Sequence, residues 1–111
     1  MIYKIFRPAE WDQLDRDGTT TGAPIDVTDG YIHFSTSAQV AETAAKHFAG
    51  EEDLILVSVD EKTLGDDLKW EVSRGDQLFP HLYRNLTKRD VVAVHKIGFE
   101  NGAHVFPDGV V

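Results

Sequence analysis

An α+β domain, a mainly antiparallel sheet with two helices packed on it, is the architecture that the sequence predicts. Short β-branched and aromatic runs outnumber helical stretches, both helical stretches fall early in the chain, and an Asn-Gly turn signal closes the last pair of strands. A chain of 111 residues fits one domain. No repeat, low-complexity stretch or linker interrupts it, so residues 1–111 are read as a single unit.

Taken in order, Ile2-Tyr3-Lys4-Ile5-Phe6 alternates and reads as a strand. Pro8 then supplies a first-turn proline, Trp11 and Leu14 share one helical face, and Gly18 stops the helix. Residues 18–29 are rich in Gly, Thr, Pro and Asp and read as a long loop. Residues 31–35 read as a second strand. Thr36-Ser37-Ala38-Gln39 has the form of a capping box and opens a helix to about Phe48, with Val40, Ala44 and Phe48 on one stripe and Gly50 beyond its end. Residues 54–59 form an apolar run expected to be a central strand, and residues 69–73 a shorter one. Residues 91–94 begin another strand that continues towards Phe99. Glu100-Asn101-Gly102 then turns the chain back through His104 to Phe106.

Composition narrows the chemistry. There is no cysteine, which excludes disulfides, zinc–thiolate sites and cysteine nucleophiles. No apolar run is long enough to span a bilayer and the first residues lack a signal-peptide core, so the cytoplasm is the expected compartment. A net charge of −8 argues against general nucleic-acid or membrane binding. One segment runs the other way: Lys69, Arg74, Arg84, Lys88 and Arg89 face only Glu71 and Asp76. A local basic island on an acidic chain suits a small anionic ligand, although a solvated rim accounts for it equally well. Nothing in the sequence reports the oligomeric state.

Two polar constellations stand out. In Gly30-Tyr31-Ile32-His33-Phe34-Ser35-Thr36, the period of two puts Tyr31, His33 and Ser35 on one face and Ile32 and Phe34 on the other. Tyr, His and Ser both donate and accept hydrogen bonds, and Thr36 leads into a helix start. In the second, Lys69-Trp70-Glu71 is followed by Phe79-Pro80-His81-Leu82-Tyr83-Arg84. Pro80 stiffens the backbone ahead of His81 and Tyr83, which project to one side if the stretch is extended. The structural alternative makes Trp70, Phe79 and Leu82 core and their polar neighbours rim. The central expectation is that His33 and His81 open into one hollow. None of the five histidines has H-x-x-x-H spacing, so no metal is assigned, and no Gly-rich phosphate loop or nucleophile elbow is present. His47, on the second helix, reads as a packed or surface residue.

With these segments in view, the chain resembles a bacterial family catalogued as domain of unknown function 952. The likeness runs through Ile2-Tyr3-Lys4-Ile5 with Trp11, then Asp29 to Thr36 with Gln39-Val40 and Thr43-Ala44, and resumes at Leu68-Lys69-Trp70-Glu71 and Phe79-Pro80-His81-Leu82-Tyr83. That family is in turn similar to the ADP-ribosyltransferase fold, whose split sheet the resemblance therefore implies here. The strand around His33 also looks like the His-containing strand of RNA 2′-phosphotransferases. The likeness implies that His33 meets the ribose or nicotinamide part of a dinucleotide. Where transferases place their glutamate this chain carries His81 and Tyr83, with Glu71 earlier in the sequence.

The leading expectation is an ADP-ribosyltransferase-like domain that binds NAD, as substrate, or another nucleotide-derived anion. His33, His81 and Glu71 are the catalytic candidates. Tyr31, Ser35, Thr36, Lys69, Trp70, Tyr83 and Arg84 are the ligand-binding candidates, Trp70 and Tyr83 as stacking surface and Lys69 or Arg84 for phosphate. The alternative is a non-catalytic small-ligand or protein-interaction module on the same scaffold. A metal hydrolase using His33, His81 and Glu71 is the third reading and the least favoured.

Overall fold

The computed structural model describes residues 1–110. In chain order the elements are β1 (Ile2–Phe6), α1 (Pro8–Asp17), β2 (Thr19–Thr20), α2 (Pro24–Asp29), β3 (Ile32–His33), α3 (Val40–His47), β4 (Ile55–Val59), β5 (Leu68–Val72), β6 (Leu78–Leu82), β7 (Leu86–Thr87), β8 (Val91–Lys96), β9 (Gly98–Glu100) and β10 (Ala103–Val105). Two three-stranded antiparallel sheets, β1-β4-β8 and β3-β6-β5, carry the architecture, with the short pairs β2-β7 and β9-β10 at the periphery. The α+β class and the antiparallel pairing match the reading of the sequence. The Asn101-Gly102 hairpin also forms, both residues taking positive φ (52° and 80°).

Strand β1 is buried on both faces, which explains why it is apolar at nearly every position. Ile2 and Phe6 join Leu14, Ile32, Phe34, Val57, Val59 and Leu82 in one core, while Tyr3 and Ile5 join Val40, Ala44, Leu54 and Leu56 in another. Helix α1 ends at Gly18, left-handed at φ 78°, where its N–H bonds Leu14 O.

The structure corrects the sequence reading at three places. The stretch 18–29 is not a loop: it holds β2 and the six-residue α2, giving three helices rather than two. Helix α2 has Pro24 in its first turn, an Asp26 carboxylate accepting from the Ala23 N–H at 2.8 Å, and a left-handed Gly30 as stop. Its hydrophobic residues, Ile25 and Val27, are exposed, so no buried stripe betrays it. Helix α3 starts at Val40 rather than at Ser37; Gln39 Oε1 does accept from the Thr36 N–H (3.0 Å), but the reciprocal side-chain cap is missing.

The third correction concerns the strand at 31–35, whose regular pairing with β6 covers only Ile32 and His33. The register would next pair Phe34 with Pro80. Phe34 N–H still donates to Pro80 O at 3.0 Å, but proline has no N–H to return. There the chain leaves β6 and bonds β1 instead, with Tyr3 N to Ser35 O and Ser35 N to Tyr3 O both at 2.8 Å. This bridge is the seam between the two sheets, and the split opens a cleft beside it.

Candidate functional site

The cleft encloses about 650 Å³. Its walls come from β1 (Tyr3, Lys4, Ile5) with Arg7, from the start of α2, from Asp29, His33, Phe34 and Ser35, from α3 (Thr43, His47) and from the β5–β6 hairpin (Ser73, Arg74, Phe79, His81). The size and the mixture of apolar surface with a few converging polar groups are those of a small-molecule site.

His33 and His81 both line it and are directly cross-strand neighbours. The Phe34–Pro80 contact makes the adjacent 33/81 pair the non-hydrogen-bonded kind, in which side chains approach most closely. Their ring centroids lie 5.4 Å apart. Because His33 N–H points away from β6, it meets Asp26 of α2, whose Oδ1 accepts from it at 3.1 Å and from the ring Nδ1 side at 2.5 Å. The other ring nitrogen, Nε2, lies 2.9 Å from Asp29. Both His33 nitrogens are therefore held by carboxylates of α2.

Asp26 is the hub of this arrangement. Only 1% exposed, it also binds the buried Lys4 ammonium through Oδ2 at 2.7 Å. Burial alone would push its carboxyl up, yet the His33 hydrogen bonds and the Lys4 charge outweigh that and hold it below its ordinary value. Gly22 is required beside it: φ is +98° there, and any Cβ would collide with the Asp26 side chain.

His81 is held differently. Although only 2% exposed, its ring is fixed by Tyr31, stacked at 4.1 Å and 20°, and by Glu71, which lies 2.9 Å from Nδ1. Glu71 also accepts from Tyr83 Oη at 2.6 Å. The Tyr83 hydrogen bond first, then that of His81, keeps the Glu71 carboxyl ionised below its ordinary range, and the same bond pushes the Tyr83 phenol up to about 12. An ionised Glu71 accepts the Nδ1 proton, so Nε2 is the nitrogen presented to the cleft. Among the described residues nothing hydrogen-bonds that Nε2, and no fully enclosed side-chain N or O atom lacks a partner.

Of the residues singled out from sequence, His33, Ser35 and His81 line the cleft. Tyr31, Glu71 and Tyr83 stand behind His81 as its support, Tyr31 and Tyr83 meeting edge-on at 5.3 Å. The other four lie elsewhere. Thr36 spends its N–H on Gln39, and Trp70 pairs with Pro80 on the opposite sheet face from His81. Lys69 is opposite His81 in register but exposed on the edge strand. Arg84 is tied to Asp90 (2.9 and 3.1 Å) and Asp67. Lys88 of the basic island pairs with Asp15, so of the expected cations Arg74 alone reaches the cleft wall, where Lys4 and Arg7 join it.

Asp26 and Asp29 stand on a helix whose residues read as loop, and the Pro24-x-Asp26 pattern closing at Gly30 is the sequence signal for it. Lys4 carried one too, as a lone charge inside an apolar strand. Thr43 and His47 gave none. Among the described residues no group of three or more His, Cys, Asp or Glu is placed to hold a metal ion, and no helix is long and apolar enough to cross a membrane.

The family model described as protein of unknown function (DUF952) matches residues 5–94. In the crystal structure of protein CC0527 from Caulobacter crescentus the same fold recurs, with a TM-score of 0.93 and 43% identity over 98% of this chain and 96% of that one. The solution structure of CC0527 matches at a TM-score of 0.83 and 44% identity, covering 93% and 89% of the two chains. No curated protein matches this chain.

Proposed function

Since the chain belongs to the DUF952 family, its chemistry must be sought in its own site, and we propose that the cleft binds a nucleotide-derived anionic ligand of the NAD or ADP-ribose type. The observation that carries this reading is His81: a buried imidazole, oriented by Glu71 and Tyr31, whose unpartnered Nε2 faces a cleft lined by Lys4, Arg7 and Arg74. No fully enclosed side-chain polar atom among the described residues lacks a partner, so this Nε2 is open to the cleft and free to exchange a hydrogen bond with water for one with a ligand. Lys4 and Arg7 are paired with Asp26 and Glu51, so Arg74 is the cation that offers most charge to an anion, and the volume accommodates a nucleotide.

With NAD as substrate, the site would act in glycosidic transfer. Nε2 of His81 takes the proton of an attacking hydroxyl as that oxygen bonds the ribose anomeric carbon. Nicotinamide leaves with the electron pair of the broken C–N bond. Asp29, rather than Glu71, is the carboxylate lining the cleft that would face the oxocarbenium-like centre. One observation favours a second, non-catalytic reading of the same cleft: both His33 nitrogens are occupied by Asp26 and Asp29, which gives that ring a positioning role.

Calorimetry with NAD, ADP-ribose and a 2′-phosphorylated oligonucleotide tests the proposal. We expect at least one to bind with Kd tighter than about 1 mM, some −4 kcal/mol, and His81→Ala to abolish it while remaining folded. Nicotinamide release, lost in His81→Ala, marks turnover; binding without release supports the non-catalytic reading. Absence of binding by all three at millimolar concentration removes the proposal.

A further inference from the structure

The three cations of the cleft differ in how far their charge is already neutralised. Lys4 is buried against Asp26 at 2.7 Å. Arg7 is gripped by Glu51 at 2.7 and 3.0 Å, with Glu10 close by. Arg74 is freer: its Nε reaches the exposed Glu42 only at 3.4 Å, and Glu42 is shared with Lys46 at 3.2 Å. Yet its guanidinium is not adrift. It packs over Phe79, 5.0 Å from the ring centre, and Nη2 donates to Thr43 Oγ1 at 3.1 Å. Thr43 gives its own proton to Gln39 O (3.1 Å), so it receives both from Arg74 and from the Ser35 hydroxyl at 2.9 Å. Nη1 is left without a partner among the described residues.

A planar, pre-oriented fork with spare N–H groups is the arrangement that binds phosphate oxygens bidentately. Holding it beforehand also lowers the entropy cost of binding. We infer that Arg74, positioned by Thr43 and Phe79, is the phosphate-binding residue of the cleft, with the Ser35 hydroxyl turning to donate to the same group. This assignment rests on reading the cleft as a site for a phosphate-bearing ligand. It also gives the ligand a direction, with its phosphate end against α3 and the β5–β6 hairpin. Burial and the charge of Arg74 hold the neighbouring His47 imidazole below its ordinary value, so His47 supplies less positive charge to an anion there than a free imidazole would.

The test is an NMR titration with inorganic pyrophosphate, following backbone amides and the arginine Nε–H signals. Pyrophosphate should shift Ser35, Thr43 and the Arg74 side chain. Arg74→Gln should weaken binding roughly 10- to 100-fold, Arg74→Lys should lose part of that, and Thr43→Val, which keeps the charge but frees the fork, should weaken it a few-fold. Arg84→Gln, outside the cleft, should bind as the wild type does. An Arg74 signal that pyrophosphate leaves unmoved overturns the assignment, even if the variants are too unstable to study. So does equal affinity in Arg74→Gln. Should ADP-ribose bind wild type and Arg74→Gln alike, the phosphate subsite fails and the cleft reading survives. Should pyrophosphate bind at Arg74 while no nucleotide binds, the subsite stands and the nucleotide reading fails.

Discussion

Lys4 and Asp26 show how a single buried pair can organise a site. Neither charge can face water, and each is tolerable because the other is 2.7 Å away. Asp26→Asn should leave the Lys4 ammonium uncompensated and cost about 3–5 kcal/mol in denaturant unfolding. It should also change the pH profile. Folded Asp26 binds its proton less readily than its ordinary value of 3.8 implies, so its stabilisation is complete above that value and disappears as pH falls through the depressed native one. That acid-side loss should be smaller in Asp26→Asn. A second residue-scale prediction concerns Tyr83. Glu71→Gln removes the carboxylate whose hydrogen bond first, and whose charge after it, pushes its phenol to about 12, so a phenolate absorbance titration should show the Tyr83 step moving back towards 10. No such shift would mean that the Glu71–Tyr83 bond does not persist in solution.

At the scale of elements, Pro80 decides where β3 stops. Its missing donor ends the β3–β6 ladder one residue after the His33–His81 pair, and the chain crosses to β1. Pro80→Ala restores an N–H that faces the Phe34 carbonyl, and its amide should exchange slowly with solvent; a fast-exchanging amide would contradict this account of the split. Helix α2 makes the opposite point about Gly22. Gly22→Ala forces both a left-handed backbone and a clash with Asp26, and should destabilise by roughly 2 kcal/mol or more. The sequence made α1, α3, β4 and the closing hairpin legible, since each is announced by apolar spacing or a defined turn residue. It hid α2 because a six-residue helix with Ile25 and Val27 facing solvent has no buried stripe. It hid the early end of β3 because that depends on which residue of a distant strand falls opposite.

Across the whole molecule, the −8 charge and the cationic cleft pull in opposite directions on an anionic ligand. Screening within about 8–10 Å at ordinary ionic strength leaves Arg74, the least neutralised of the cleft's cations, in command once the ligand has entered. Sequence adjacency groups cations that the fold separates: the run from Lys69 to Arg89 looks like one island, but Arg84 and Lys88 are paired with Asp90 and Asp15 away from the cleft, whose wall takes Lys4 and Arg7 from the first strand and the residue after it. The meeting of His33 and His81 was legible, because each stands on the polar face of an alternating strand. Which of the two is free to act was not, since Asp26 and Asp29 take both nitrogens of one, whereas Glu71 takes a single nitrogen of the other. The most direct measurement is a long-range ¹H–¹⁵N NMR correlation of the imidazoles during addition of ADP-ribose. The Nε2 resonance of His81 should move on binding while both nitrogens of His33 hold their positions. Binding that leaves His81 Nε2 unmoved, or that moves His33 alone, would contradict the account.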